Sequence, residues 1–394
     1  MGGIGCGFFR RIVLRLTSPR TRNARVTTSA FSITMIGCHA LLLFAAVSSV
    51  SGQTTGESVT RDTSSARNSD VSAGPRTSLW RQRQLAASES FGLDALPRVG
   101  NGYLWSFQHV ISDSRNSTIL VSSVASNERV QLPFWISGAS VIRIEDVAVT
   151  PGHTVLIAGT FERSSDPSER HFVTEMDLSG KTLATFDLGE YEPERVCGTQ
   201  DGTVWTLGQI WSSENSGGSY SLLRHYSVSG ELVRSYVERR DLPAKALDLG
   251  GRFRQTGPPL VPGRTFLRCG EDTVGVYIGP ALTWIQVGTG DGEAKMSRVS
   301  PPSPTVAMSG LALLGSTVYA SFRGVIPGDS TKALYMLKFS PGGKSIWDLV
   351  RVKNASDKAT GFQRLVGSDG PSLVELVGQP RGLKGSNLLV WIRP

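Results

Sequence analysis

The 394-residue chain carries 41 Lys+Arg against 33 Asp+Glu, a formal net charge of +8 and a pI near 9.5, which taken alone would suggest a nucleic-acid binder. Six of the arginines and no acid lie in the first 52 residues, and without them the balance is 35 against 33, a net of +2. The basicity therefore belongs to a presequence, and the remaining domain has no charge excess suited to nucleic acid.

The presequence runs in the order basic, apolar, small. Arg10, Arg11, Arg15, Arg20, Arg22 and Arg25 precede an apolar stretch from Phe31 to Val47, and Val50-Ser51-Gly52 follows. This is the order of an export signal, and cleavage after Gly52 would leave Gln53 first. The apolar stretch of roughly 17 residues is borderline for spanning a bilayer, so an uncleaved membrane anchor is the alternative. The Arg10-Arg11 pair resembles a twin-arginine signal, but the apolar run starts too far downstream. Cys38 lies ahead of Leu41–Val47 rather than after the apolar run, which argues against a lipoprotein box. Residues 53–77 are rich in Ser and Thr with almost no apolar side chains, the composition of a disordered linker. The expected localisation is periplasmic or extracellular.

From Ser78 onward the chain is predicted to be all-β. GNGYLW, PGHTVLI, DGTVWTL, EDTVGVYI, GSTVYAS and DGPSLVEL align at Tyr103, Thr154, Thr203, Thr273, Thr317 and Ser372. Intervals of roughly 50 residues are the length of a propeller blade. Each repeat opens with an apolar run, a Gly-containing turn and a β-branched run, as in Asp146–Gly152 followed by Thr154–Ile157. A second turn follows at Asn127, Gly180, Gly230, Gly292 and Gly343, flanked by pairs such as TEMDL and TLATFDL. Four short strands per repeat result. The last repeat ends at SNLLVWIRP with room for a third strand only, and an open edge is an aggregation hazard. Ser78–Leu93 is the segment expected to supply the missing strand. The prediction for residues 78–394 is a six-bladed β-propeller of four-stranded antiparallel blades, its ring closed by an N-terminal strand.

Cys6 and Cys38 belong to the presequence. Cys197 and Cys269 occupy similar places in adjacent repeats. Export permits a disulfide, but residues related by rotation about a propeller axis are expected to point apart, so two buried thiols are the expectation and a bridge the alternative.

Catalytic signatures are absent: the sequence holds no Gly-x-Ser-x-Gly, His-Glu-x-x-His, Cys-x-x-Cys or EF-hand spacing. Gly342-Gly343-Lys344-Ser345 looks like a phosphate-loop ending but lies at a predicted hairpin turn, and His109, His153, His171 and His225 lack metal-ligand spacing. No cofactor and no metal are expected. Polar connections between second and third strands (108–116, 162–170, 211–218, 323–332, 379–386) are read as long loops sharing one face, together with the irregular segment 238–264. Arg163, Asp166, Glu214, Asp329 and Arg381 on those loops are the candidate binding residues. Arg98, Arg195, Arg268 and Arg364 recur near the starts of inner strands and could form an anion site at the channel mouth. More often such arginines satisfy carbonyls and acids between blades, and Glu194, Glu271 and Asp369 are ready partners.

The DGTVW and SGELV elements resemble those of six-bladed β-propellers of the broad class that includes NHL-type and TolB-like domains, and Asp201–Trp205 also resembles blades of bacterial sensor propellers. The resemblance covers most of the chain after the presequence. It implies a binding module, a scaffold or a calcium-dependent lactonase. A lactonase needs Glu, Asn and Asp converging on the channel, and no such cluster is assignable. The reading is a monomeric, non-enzymatic recognition module for a protein, peptide or glycan; a metal-dependent hydrolase at the channel mouth is the alternative.

Overall fold

The structure, a computed structural model, describes residues 78–84, 97–126, 128–210, 220–242, 265–278, 283–290, 292–298, 307–323, 334–339, 348–351, 363–377 and 388–393. The chain divides into compact units 1–66 and 67–394, and the described residues all lie in the second. The predicted export signal 1–52 and linker 53–77 fall outside them. Among the described residues no helix is long and apolar enough to cross a membrane.

Strands come in successive antiparallel meanders. After β1 (Ser78–Gln84) come β2 (Arg98–Gly100), β3 (Tyr103–Phe107), the short β4 (Val110–Ile111), β5 (Ser117–Ser123) and β6 (Arg129–Pro133). The next meander is β7 (Ala139–Val149), β8 (Val155–Arg163), β9 (Asp166–Met176) and β10 (Thr182–Asp187), with β4 on the free edge of β7. Then follow β11 (Tyr191–Gly198), β12 (Val204–Ile210), β13 (Ser221–Tyr226) and β14 (Leu232–Glu238), and β15 (Thr265–Cys269), β16 (Thr273–Ile278), β17 (Thr283–Gly288) and β18 (Lys295–Arg298). β19 (Ala307–Leu314), β20 (Thr317–Arg323), β21 (Leu334–Phe339) and β22 (Asp348–Arg351) make another sheet of four. The last meander is β23 (Gln363–Asp369), β24 (Ser372–Val377) and β25 (Leu388–Arg393). β1 pairs antiparallel with β25 from Ser78↔Arg393 to Gln84↔Leu388. The innermost strands of the first and last meanders meet in parallel at Val99 and Gly367.

The architecture is propeller-like, and its core explains why. A strand buried on one face would alternate, yet β8, β12 and β16 read as nearly continuous buried runs, because each sheet packs both faces on neighbours. Trp105, Ile119, Ile142, Val155 and Phe172 fill one inter-sheet layer, and Leu156, Val173, Phe186, Val196 and Val204 fill the next. Leu104, Val99, Val374 and Trp391 join the last meander to the first. At roughly 25 cal/mol per Å² of apolar surface, these layers are the main source of cohesion.

Sheets converge most tightly on the inner strands. A Cβ at Gly367 would run into the Val99 carbonyl, so only glycine allows β23 to approach β2 this closely. The same convergence overturns the expected free thiols: Cys197 on β11 and Cys269 on β15 form a disulfide with Cα atoms 5.7 Å apart. Rotation between neighbouring sheets separates side chains at large radius, but at the centre the strands run side by side. A hydrogen bond from Arg195 Nε to Thr265 O at 3.2 Å shows the same closeness.

The second-to-third connection of the second meander also differs from expectation. Arg163 and Asp166 are register partners, so residues 162–170 form a tight hairpin between long strands instead of a long loop. Its charged residues belong to strand ends: Arg143 of β7 bridges Glu162 of β8 at 3.1 Å and Glu169 of β9 at 2.8 Å. Polarity that reads as loop is here an ion-paired sheet end. In residues 108–116, β4 interrupts the connection by pairing with Ile142 and Arg143. The connections predicted at 211–218, 323–332 and 379–386 lie wholly or almost wholly outside the described residues, as do the turns at Asn127 and Gly343.

Candidate functional site

The inner strands β2, β7, β11, β15, β19 and β23 all border one cavity of about 610 Å³, its open mouth included. Most of its wall is backbone and small or apolar side chain, as at Gly100, Val149, Gly198 and Leu313. Polar groups come from Arg98, Asn101, Trp105, Arg268 and Ser368, and the Cys197–Cys269 disulfide lies in the wall.

Arg98 forms an ion pair with Asp146, a residue of β7 that is 1 % exposed. Its Nη1 also donates to Val147 O at 3.4 Å, and Trp105 Nε1 donates to the same carbonyl at 2.8 Å. Asn101 Nδ2 donates to Val149 O at 2.7 Å. The second Asp146 oxygen accepts the Val196 N–H of β11 at 3.0 Å. Arg268 donates from Nε to Leu311 O of β19 at 3.3 Å and from Nη1 to Leu267 O at 2.9 Å. Each of these arginines thus reaches the next inner strand along the chain. Buried carbonyls at the strand crossings need such donors.

The four predicted channel arginines are only partly brought together. Arg98 and Arg268 border the cavity. Arg195 precedes the wall residues Val196–Gly198, and Arg364 is buried on β23 ahead of the wall residues Val366–Ser368. Carbonyls, rather than Glu271 or Asp369, accept the hydrogen bonds of Arg195 and Arg268, and Asp369 accepts Trp391 Nε1 at 2.9 Å. Burial lowers the Arg98 pKa, with Arg195 adding to the effect and Asp146 opposing it. Burial also lowers Arg268, to about 9, helped by Arg98 and Arg195. Glu194 goes the other way: burial pushes its carboxyl well above the ordinary range, and Gln209 Nε2 donates to it at 2.6 Å.

Of the predicted loop residues, Arg163 and Asp166 are described and Glu214, Asp329 and Arg381 lie outside the described residues. The Arg163 guanidinium lies over the Phe161 ring, 5.5 Å from its centroid. Asp166 closes its turn by accepting from Ser168 N at 3.1 Å and Oγ at 2.6 Å, and it pairs with Arg170 at 3.2 Å. The Ser168 bonds, then Arg170, lower its pKa to about 2. The residue that sequence reasoning passed over is Asp146, quoted only as the start of an apolar run. A signal existed: it stands eight residues before Thr154, as Arg195 stands eight before Thr203 and Arg364 eight before Ser372. Among the described residues no group of three or more His, Cys, Asp or Glu could hold a metal ion.

No protein-family model matches the chain, and no curated protein matches it. Solved structures do. A Bacteroides fragilis protein assigned as exported is similar at 13% identity and TM-score 0.46, over 81% of this chain and 94% of that one. The β-propeller domain of the Trilobed protease from Pyrococcus furiosus, described as an open velcro topology, is similar at 10% identity and TM-score 0.40, over 76% and 82%. A luciferin-regenerating enzyme is similar at 8% identity and TM-score 0.41, over 76% and 90%. All three TM-scores are below 0.5, and the propeller-like description rests on the sheets themselves.

Proposed function

We propose that the chain is an exported six-bladed β-propeller, closed by its N-terminal strand, that acts as a monomeric, non-enzymatic recognition module for a protein, peptide or glycan. The observation supporting this reading is the chemistry of the cavity wall. Among the described residues that border it there is no carboxylate, histidine, lysine or tyrosine, and its two cysteines are joined. Its arginines and Asn101 are bonded to the framework, and Ser368 has no base beside it in the wall. General acid–base turnover needs a titrating group within reach of the substrate. A wall of fixed donors is suited to holding a ligand instead.

Recognition is assigned to the face that carries the β8–β9 hairpin and the predicted loops with Glu214, Asp329 and Arg381. The test is a pull-down from the native exported fraction with Arg163→Glu, Glu214→Lys, Asp329→Lys and Arg381→Glu variants. Loss of a partner at unchanged melting temperature supports the reading. Equal loss in matched, folded Gly180→Ala and Gly230→Ala proteins sinks it. So does calcium-dependent turnover in an ester and lactone panel that a chelator abolishes.

A further inference from the structure

The centre of the inner strands holds more positive charge than the described protein around it neutralises. Arg195 is close enough to depress the protonation of Arg98 and Arg268, Arg98 depresses that of Arg268 as well, and Asp146 is the one described carboxylate whose charge acts on Arg98 and Arg268. Asp146 is already engaged, by Arg98 and by the Val196 N–H. Burial raises the Glu194 carboxyl, beside Arg195 in sequence, well above its ordinary range, and its hydrogen bond comes from Gln209 rather than from an arginine. Arg98 is paired with Asp146, whereas the hydrogen bonds of Arg268 go to carbonyls alone, so this buried guanidinium has no carboxylate in contact, which is costly unless an anion joins it.

Geometry offers the place. Arg98 bonds through Nη1 and Arg268 through Nε and Nη1, so Nη2 of each has no hydrogen-bond partner among the described residues, and both side chains border the cavity. A guanidinium fork matches the paired oxygens of a carboxylate or phosphate. The space inside that a water-sized centre can reach, about 90 Å³, is room for a small group of this kind, and the mouth is open to solvent. We propose that this cavity is an oxyanion-binding site in which Arg98 and Arg268 hold a carboxylate or phosphate group of a ligand entering along the axis, with Arg195 adding charge from behind.

Isothermal titration calorimetry on the exported protein tests this, with inorganic phosphate in one arm, acetate in a second, and sodium chloride alone in a third at equal ionic strength. Saturable one-to-one binding of phosphate or acetate is expected, and the arm that binds tighter identifies the group. Arg268→Gln should weaken it by about tenfold or more, and Arg163→Glu should leave it unchanged. Arg268→Lys, which keeps the charge and loses the fork, replaces the Gln variant if that protein does not fold, and it too should bind more weakly. Absence of saturable binding to the wild-type protein overturns the proposal, as does binding that Arg268 variants leave unchanged or a response to chloride alone. The site is independent of the loop face, so either reading can fail while the other stands.

Discussion

Asp146 holds Arg98 with one carboxylate oxygen while its other oxygen takes the Val196 amide, so one side chain on β7 fastens both β2 and β11. Breaking a buried pair from one side leaves the partner charge uncompensated and costs about 3–5 kcal/mol. Asp146→Ala should therefore lower the unfolding free energy measured by urea titration by that order, with Arg98→Met somewhat milder because the Val196 bond survives. The double variant should lose less than the sum of the singles, and strict additivity in the cycle would show that the pair is not coupled.

The Cys197–Cys269 bridge spans a sequence separation of 72 residues, and chain-entropy reasoning gives on the order of 4 kcal/mol for a loop of that length. Alkylation of the unfolded, unreduced protein should find neither thiol free. Reductant, or Cys197→Ala with Cys269→Ala, should lower the melting temperature substantially. An unchanged melting temperature would mean that the unreduced chain gains nothing from the constraint.

Glu375 lies between Leu365 and Val390 in the pairing of β24 with its neighbours, both of them residues of an apolar layer, and burial raises its pKa to about 8. Between the ordinary value of 4.5 and about 8, the folded state keeps a proton that the unfolded state releases. Stability from this group is thus fully present below pH 4.5 and falls as pH rises, by about 1.4 kcal/mol per unit, levelling off above pH 8. Glu375→Gln should remove that slope. The check is the stability difference between wild type and variant across this range, and a flat difference contradicts the assignment.

Arg81 of β1 stacks over Trp391 of β25 with its guanidinium 5.0 Å from the ring centroid, and its Nη2 donates to Val124 O at 2.7 Å. Deleting the chain up to Phe91 should expose the buried Leu389–Ile392 edge and give an aggregating protein by light scattering. A soluble monomer of unchanged melting temperature would reject closure by β1. Arg81→Ala alone should cost about 1–2 kcal/mol.

Gly180 and Gly230 both have positive φ, at 90° and 84°, yet their surroundings differ. A Cβ at Gly230 would collide with the Phe186 ring of the preceding sheet, whereas at Gly180 the nearest atom is Leu132 Cδ2 at 3.9 Å. Alanine at Gly180 should cost about 1 kcal/mol from backbone strain alone. At Gly230 the clash adds to it, and equal thermal shifts for the two variants would count against that contact.

Periodicity carried the strand pattern because the turns are local: Asp177 accepts from Ser179 and Lys181, and DLSGKT reads as a hairpin without any tertiary knowledge. The hairpin at Arg163–Asp166 was misread since its charges are satisfied across β7, β8 and β9 by Arg143, a partner 19 to 26 residues away. The disulfide was missed for a similar reason. Spacing along the chain reports the repeat, but not how near the axis a residue lies. The arginine recurrence was legible at Arg98, Arg195 and Arg268, while the acid that engages one of them, Asp146, hid within a β-branched run.

Three inner-strand guanidiniums point forward: Arg98 to the strand of Val147, Arg195 to that of Thr265, Arg268 to that of Leu311. During synthesis each such strand therefore emerges with its cation waiting for a segment not yet made, and becomes fastened only when its successor arrives. Damage is inherited backwards, since disordering one meander frees the arginine of the meander before it. Of the described strands β1 waits longest, because its partner β25 comes last among them in chain order.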